Sequence, residues 1–145
     1  MATSGSGSGT TRKIGAHTLT VEDDVVFLAL QGDYKLDDAM QTHAEIERLL
    51  STLGRAFIAV DQTHGGATPP DARRFIADWN KRHRASGAVM FGGGLVSRAA
   101  ATLVLSAIRL FQPDMLPMVF AKSELEARDW ISAQRTKLLN NPSRT

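Results

Sequence analysis

The feature that most constrains this chain is the alternation of short apolar runs with segments of helical periodicity. Apolar runs at residues 56–60, 87–91 and 118–120 are separated by stretches in which apolar side chains recur every three or four positions. A continuous apolar run of this length is typical of a strand that is buried on both faces, as in a parallel sheet. Such strands, alternating with amphipathic helices, predict an α/β domain.

Two further strands are predicted nearer the amino terminus. Residues 17–22 and 25–31 are rich in apolar and β-branched side chains, and the polar pair Asp23 and Asp24 between them is typical of a hairpin turn. These two strands precede the first segment of helical periodicity, residues 36–53. The chain is therefore predicted to begin its fold with a hairpin.

Four helices are predicted, each from apolar periodicity together with an end signal. The signals are Gly54 after residues 36–53, Pro70 at the second helix, Pro113 after residues 96–112, and Ser123 with Glu126 before the last helix. The predicted order is β-β-α-β-α-β-α-β-α. It corresponds to a three-layer α/β domain with a mostly parallel sheet of five strands and four helices.

The length of 145 residues indicates a single domain. Residues 1–13, rich in Gly and Ser, are predicted to form a flexible tail, residues 14–135 the domain, and residues 136–145 a C-terminal extension. The chain has no cysteine, which excludes disulfides and thiolate metal sites. Because no signal-peptide pattern is seen either, a cytoplasmic protein is expected.

Charge gives little support to a nucleic-acid partner. The formal net charge is only +2, from 17 Lys and Arg against 15 Asp and Glu. Residues 71–84 carry five basic and two acidic side chains, a local excess of +3. These basic side chains are not interleaved with aromatic residues that could stack on nucleotides. A solvated helix face is therefore favoured, and a contact with an acidic protein or an anionic membrane surface is the alternative.

Three segments carry a resemblance to a known family. Residues 28–33 (LALQGD), residues 58–61 (IAVD) and residues 119–131 (VFAKSELEARDWI) resemble strands and the last helix of the STAS domain. The closest resemblance is to its SpoIIAA-like branch, also described as STAS/SEC14-like, which includes anti-sigma-factor antagonists. The resemblance implies a bacterial, non-catalytic module that acts in signalling and regulation by binding a protein.

The resemblance also implies a phosphate-accepting Ser or Thr at the start of the second helix. Thr68 is the only residue here at the matching position, and the family's Asp-Ser-Ser/Thr-Gly signature is missing. A phosphate there would meet the helix N-terminus and the nearby Arg73 and Arg74. The alternative interpretation is that Thr68 caps the helix. The predicted partner-binding residues, on the loop after residues 56–60 and on the second helix, are Asp61, Thr63, His64, Thr68, Arg73 and Arg74.

Two features involve the segment after residue 91. The candidate contacts for a bound anion are Gly93, Gly94, Ser97 and Arg98. The favoured explanation for the glycines is a tight turn with positive φ, because no dinucleotide-binding or P-loop motif is present. The helix at residues 96–112 is apolar over most of its circumference.

That apolar excess predicts a hydrophobic contact through Leu103, Ala107 and Phe111. The contact is expected with a second copy of the chain, with a partner protein, or with a lipid or other hydrophobic ligand between the second and third helices. Lipid binding is what the SEC14-like resemblance implies. In the alternative interpretation, residues 115–117 fold back and cover this surface.

A hydrolase-like enzyme is the remaining alternative, with His64 as a base oriented by Asp61. No nucleophile elbow and no second histidine at metal-ligand spacing accompanies this pair, so no cofactor and no metal are predicted. His43 is placed on the apolar face of the first helix, and His17 and His83 are interpreted as ordinary strand and helix-end residues.

Overall fold

The computed structural model describes residues 9–93 and 118–140, which contain six strands and three helices. The strands are β1 (Thr10–Ile14), β2 (His17–Glu22), β3 (Val25–Gly32), β4 (Phe57–Gly65), β5 (Gly87–Phe91) and β6 (Met118–Ala121). The helices are α1 (Leu36–Leu53), α2 (Pro70–Arg82) and α3 (Glu124–Leu139).

All six strands belong to one sheet, in which they lie in chain order. The first three strands are antiparallel to one another, whereas β3, β4, β5 and β6 pair in parallel. The antiparallel β2 and β3 form the predicted hairpin, and Asp23 adopts the left-handed φ of 54° in its turn. The predicted α/β fold with a mostly parallel sheet is confirmed.

The sheet separates two apolar clusters, so the domain has three layers. In β4, Ile58 and Val60 pack in the cluster with α1 and α2, whereas Phe57 and Ala59 pack in the cluster with α3. Successive side chains of a strand point to opposite faces, which explains this division. Both faces of the central strands are buried, and this is why their sequences read as continuous apolar runs.

The bounds of α1 are those that the sequence predicts. At its start, Asp38 Oδ2 accepts a hydrogen bond of 3.0 Å from the backbone N–H of Lys35. At its end, Gly54 has a left-handed φ of 77° and donates its N–H to the Leu50 carbonyl at 3.0 Å. A glycine after the last turn adopts this conformation without steric cost, which ends the helix here.

The start of α3 also matches the prediction. Ser123 Oγ accepts a hydrogen bond of 3.2 Å from the Glu126 N–H. The Glu126 carboxylate accepts a bond of 3.0 Å from the N–H of Lys122, one residue earlier than a regular capping box requires.

The amino-terminal boundary of the domain needs correction. Residues 10–13, assigned above to the flexible tail, belong to β1, and the sheet has six strands instead of five. β1 pairs with β2 along its whole length, and Thr11 Oγ1 lies 3.0 Å from Thr20 Oγ1 across the pair. An edge strand with solvent on one side needs few apolar residues, so its polar sequence resembles that of a tail.

Two other boundaries extend beyond the predicted ones. β4 continues past the apolar run to Gly65, because residues up to Gly65 still pair with β3. α3 continues past residue 135 to Leu139, and its Leu138 packs against the cluster that contains Phe57 and Ile131. The first part of the expected C-terminal extension is therefore helix. The predicted helix at residues 96–112 lies outside the described residues.

A buried carboxylate connects three parts of the chain. Asp24, in the β2–β3 turn, is only 1% exposed and accepts two hydrogen bonds from Arg135 of α3, at 2.6 and 2.9 Å. It accepts a third bond, of 2.7 Å, from Arg55 in the α1–β4 connection. Its backbone carbonyl also accepts the N–H of Phe57 at 2.8 Å. We call this group of Asp24, Arg55 and Arg135 the Asp24 clamp.

The clamp controls the ionisation of Asp24. Burial opposes ionisation, but the hydrogen bonds and charges of Arg135 and Arg55 outweigh it and hold the pKa of Asp24 below its ordinary value of 3.8. A carboxyl group whose folded-state pKa is depressed stabilises the protein above the unfolded-state pKa. This contribution is lost as the pH falls below about 4.

We expect Asp24→Asn to lower the free energy of unfolding by about 3 kcal/mol, because it removes the charge that pairs two arginines. Urea denaturation followed by circular dichroism at pH 7 measures this loss. The control Asp129→Asn changes an exposed carboxylate of α3 and should stay within about 0.5 kcal/mol of the wild type. Equal stability of the two variants would contradict the role given to the clamp.

Candidate functional site

A cavity of about 200 Å³ lies between α1, α2 and the sheet. Its walls are mostly apolar and include Leu30, Ile58, Val60, Ile76, Trp79 and Met90. The lining residues with polar side-chain groups are Tyr34, His43, Gln62, Thr68, Arg73 and Asn80. An apolar cavity with a few convergent polar groups is the usual form of a small-molecule site.

Gln62 has an unmet hydrogen-bonding requirement within this cavity. Its Nε2 contacts the sulfur of Met90 at 3.4 Å. Its Oε1 is buried and has no hydrogen-bond partner among the residues that the structure describes. A buried carbonyl oxygen without a donor is rare in native proteins, because its desolvation is not compensated.

The loop between β4 and α2 is held in place against the β3–α1 connection. Gly66 donates its N–H to the Gly32 carbonyl at 2.8 Å, and Ala67 donates its N–H to Asp33 Oδ1 at 2.9 Å. The backbone N–H of Tyr34 donates a hydrogen bond of 2.9 Å to the Ala67 carbonyl. A Cβ at Gly66 would collide with Asp33 Oδ1, so this close approach requires glycine. The loop is therefore fixed before any partner binds.

Thr68 and Arg73 come together at the end of this loop. The carbonyl of Thr68 accepts a bond of 2.7 Å from Arg73 Nη1, and both side chains line the cavity. The residue that precedes α2 as its cap is Pro69, and α2 has no side-chain cap. The interpretation of Thr68 as a helix cap is therefore wrong, since a threonine one residue farther out does not reach the free amides. Arg74 is exposed on the next position of α2.

An aromatic cluster joins α1 to α2 beside the cavity. His43 donates Nδ1–H to the Ala39 carbonyl at 2.9 Å, and its ring lies edge-on to Trp79 at a centroid distance of 4.7 Å. Trp79 donates Nε1–H to Glu47 Oε2 at 2.9 Å and stacks on His83 at 4.7 Å. His83 Nε2 in turn lies 3.5 Å from Glu47 Oε1.

His43 is buried in this cluster, as its position on the apolar face predicts. Burial lowers the pKa of His43 below its ordinary value of 6.5, against the opposing influence of the Ala39 carbonyl and Glu47, while His83 lowers it further. The neutral ring is thus the form that the folded protein favours.

A second group of predicted residues meets at the carboxyl ends of β4 and β5. Asp61 Oδ1 accepts bonds from Thr63, at 3.0 Å from the backbone N–H and 2.6 Å from the hydroxyl. Gly92 lies so close to Asp61 and Thr63 that a Cβ at Gly92 would collide with the Thr63 hydroxyl. His64 is exposed and makes no hydrogen bond to Asp61 in the described part of the chain. The dyad that the hydrolase alternative requires is not assembled.

Most of the other predicted site residues lie beyond residue 93. Gly92 and Gly93 have φ values of 76° and 75°, which agrees with the tight-turn explanation. Outside the described residues lie the other anion candidates and the predicted hydrophobic contacts: Gly94, Ser97, Arg98, Leu103, Ala107 and Phe111.

In residues 9–93 and 118–140, no group of three or more His, Asp or Glu side chains is placed to hold a metal ion. No helix in these ranges is long and apolar enough to cross a membrane.

Comparison with known proteins identifies the fold. No protein-family model matches the chain, and no curated protein sequence does. Among solved structures, an uncharacterised DUF3478-family protein from Shewanella loihica PV-4, described as having a SpoIIAA-like fold, is 15% identical over 85% of this chain and 91% of that one, with a TM-score of 0.55. The anti-sigma factor antagonist SpoIIAA in its unphosphorylated form is 12% identical over 86% of this chain and 98% of that one, with a TM-score of 0.51.

The chain has a SpoIIAA-like fold. The structural likeness covers most of both compared proteins, and it confirms the resemblance inferred from the sequence. At 12% and 15% identity it establishes the fold alone, since proteins of one fold have many functions.

One network that supports the site in this SpoIIAA-like fold was missed in the sequence. His17 is 1% exposed, and its Nδ1 accepts the N–H of Gln31 at 2.9 Å. Because a backbone N–H is a donor, the ring proton lies on Nε2, which faces the Asp33 carbonyl at 3.0 Å and Asp38 Oδ2 at 3.1 Å. The only sequence signal is that His17 alternates with the buried Leu19 and Val21 along β2.

We expect the stability of the domain to fall as the pH decreases below 6.5, in part because protonation of buried His43 is disfavoured in the folded state. The contribution of neutral His43 to the free energy of unfolding is complete above pH 6.5 and is lost as the pH falls toward the depressed pKa of His43 in the folded state. Urea denaturation between pH 7.5 and 5 should show a smaller slope for His43→Gln than for the exposed control His64→Gln. Identical slopes would contradict this assignment.

Proposed function

We propose that this chain is a non-catalytic regulatory module that docks onto a partner protein through the β4–α2 loop, residues 66–69, and the exposed face of α2. The comparisons support a module of this kind through the likeness to an anti-sigma factor antagonist. The engagement of Asp61 with Thr63, away from His64, supports binding over hydrolysis. We propose a cytoplasmic location, because the chain has no cysteine for the disulfides that are frequent in small exported domains.

The observation that carries the proposal is a rigid loop beside two exposed arginines. Two backbone–backbone hydrogen bonds and one bond from the Ala67 N–H to the Asp33 carboxylate fix residues 66 and 67, so docking orders little of the chain and loses little conformational entropy. Arg73 and Arg74 then present positive charge at a defined position. The partner is expected to present a complementary acidic surface, and because salt screens this attraction, association should weaken as the salt concentration rises.

Thr68 is the proposed regulatory residue of this surface. A phosphate on Thr68 would add a charge of about −2 at the position where Arg73 contacts the same residue. The added charge would offset the basic surface and weaken docking to an acidic partner. Thr63, which is exposed at the end of β4, offers the comparison site for phosphate mapping.

A photo-crosslinking amino acid at Ala67 should trap one dominant partner in the cells that produce the protein. The matched control is the same amino acid at Ala133, which is exposed on α3 across the sheet. Mass spectrometry identifies the crosslinked protein. Equal crosslinking from the two positions, or none from Ala67, would reject the docking surface.

With the identified partner in purified form, Arg74→Glu should weaken binding about tenfold, because it reverses a charge at the rim of the interface. Lys137→Glu makes the same change on exposed α3 and should leave the dissociation constant unaltered. Isothermal titration at two salt concentrations measures both variants. An unchanged affinity for Arg74→Glu would show that the exposed face of α2 at Arg74 is not the contact.

A further inference from the structure

We propose that the cavity between α1, α2 and the sheet binds a small amphiphilic carboxylate, whose apolar body lies in the cavity and whose carboxylate contacts Arg73. The cavity shares Thr68 and Arg73 with the docking surface proposed above, but its occupancy is tested without any partner protein.

The size and lining of the cavity define the body of the ligand. Cavities of roughly 150 Å³ with aliphatic and aromatic walls bind benzene, so about 200 Å³ accommodates a single ring with a short chain. Ile58, Val60 and Ile76 line it from the sheet and α2, and the Trp79 ring closes one side. A body of about ten non-hydrogen atoms fits this space.

Arg73 defines the charge of the ligand. Its Nη1 donates to the Thr68 carbonyl at 2.7 Å, and it forms no salt bridge within the described residues. A guanidinium has five N–H donors in a planar fork, so four remain for a ligand. A carboxylate is the group that this fork binds in bidentate geometry.

Gln62 defines a second polar contact. Its buried Oε1 has no donor in the described part of the chain, although the side chain lines the cavity. A hydroxyl or N–H group on the apolar body would supply the missing hydrogen bond. The preferred ligand is therefore a carboxylate with one such group on an otherwise apolar body.

The binding test uses the fluorescence of Trp79. The chain has two tryptophans, and Trp130 packs on the opposite face of the sheet, so Trp130→Phe leaves Trp79 as the single reporter. We expect 3-phenylpropionate to change this fluorescence with a dissociation constant on the order of tens of micromolar. The matching alcohol, 3-phenylpropan-1-ol, should bind about tenfold more weakly because it lacks the charge, and acetate should not bind.

Variants of the full chain locate the site. Arg73→Gln should weaken 3-phenylpropionate about tenfold and leave the alcohol unchanged. Lys81→Gln removes an exposed charge of the same helix that does not line the cavity, and it should have no effect. Ile58→Phe should abolish binding of both probes by filling the cavity, and thermal melting verifies that each variant is folded.

Gln62 is tested with a hydroxylated probe. One isomer in a series of 3-(hydroxyphenyl)propionates should bind more tightly than 3-phenylpropionate. Gln62→Leu should remove this difference in affinity and leave the affinity for 3-phenylpropionate unchanged. A preference that persists in Gln62→Leu would overturn the assignment of Gln62.

Three results overturn the site itself. One is the absence of any fluorescence change at millimolar 3-phenylpropionate. Another is equal affinity for the carboxylate and the alcohol. The third is unaltered binding in folded Arg73→Gln. None of these results bears on docking through Arg74, so failure of the cavity site and failure of the proposed function are distinguishable.

Discussion

The Asp24 clamp fixes one end of the sheet, and the position of the site depends on it. Asp24 precedes β3 and Arg55 precedes β4, so the clamp lies at the amino ends of the parallel strands. Through Arg135 it also holds α3 against the sheet face opposite α1 and α2. The buried charge is stable only because both arginines reach it, which ties the hairpin, the α1–β4 connection and the last helix to one geometry.

With the amino ends fixed, the carboxyl ends of the strands carry the polar groups. This edge is where open α/β sheets generally bind ligands. The β4–α2 loop lies there, bonded to the β3–α1 connection through Asp33 and Ala67, and the cavity opens beside Thr68 and Arg73. Both proposals depend on the charged rim above an apolar interior at this edge: docking of a protein uses the surface charge, and binding of a small molecule uses burial in the cavity.

The sequence predicted well the elements whose residues are buried on a regular period. α1 matches because its apolar stripe, its acidic first turn and Gly54 all act locally. β1 was missed because an edge strand is specified by its pairing with β2, and no apolar period records that pairing. His17 and Asp24 were missed as site-supporting residues because the partners of His17 lie 14 to 21 positions away and the arginine partners of Asp24 lie 31 and 111 positions away.

By itself, the sequence determined the α/β class, the order of the described elements from β2 onward, and the positions of Thr68 before α2 and of Arg73 and Arg74 in its first turns, because these follow from side-chain periods and turn residues that act over short distances. Only the tertiary structure decided that Asp61 binds Thr63 instead of His64, that the β4–α2 loop is fixed by Asp33, and that α1 and α2 leave a cavity above the sheet. These depend on which distant side chains meet, and a hydrogen bond between residues far apart leaves no periodic trace in the chain.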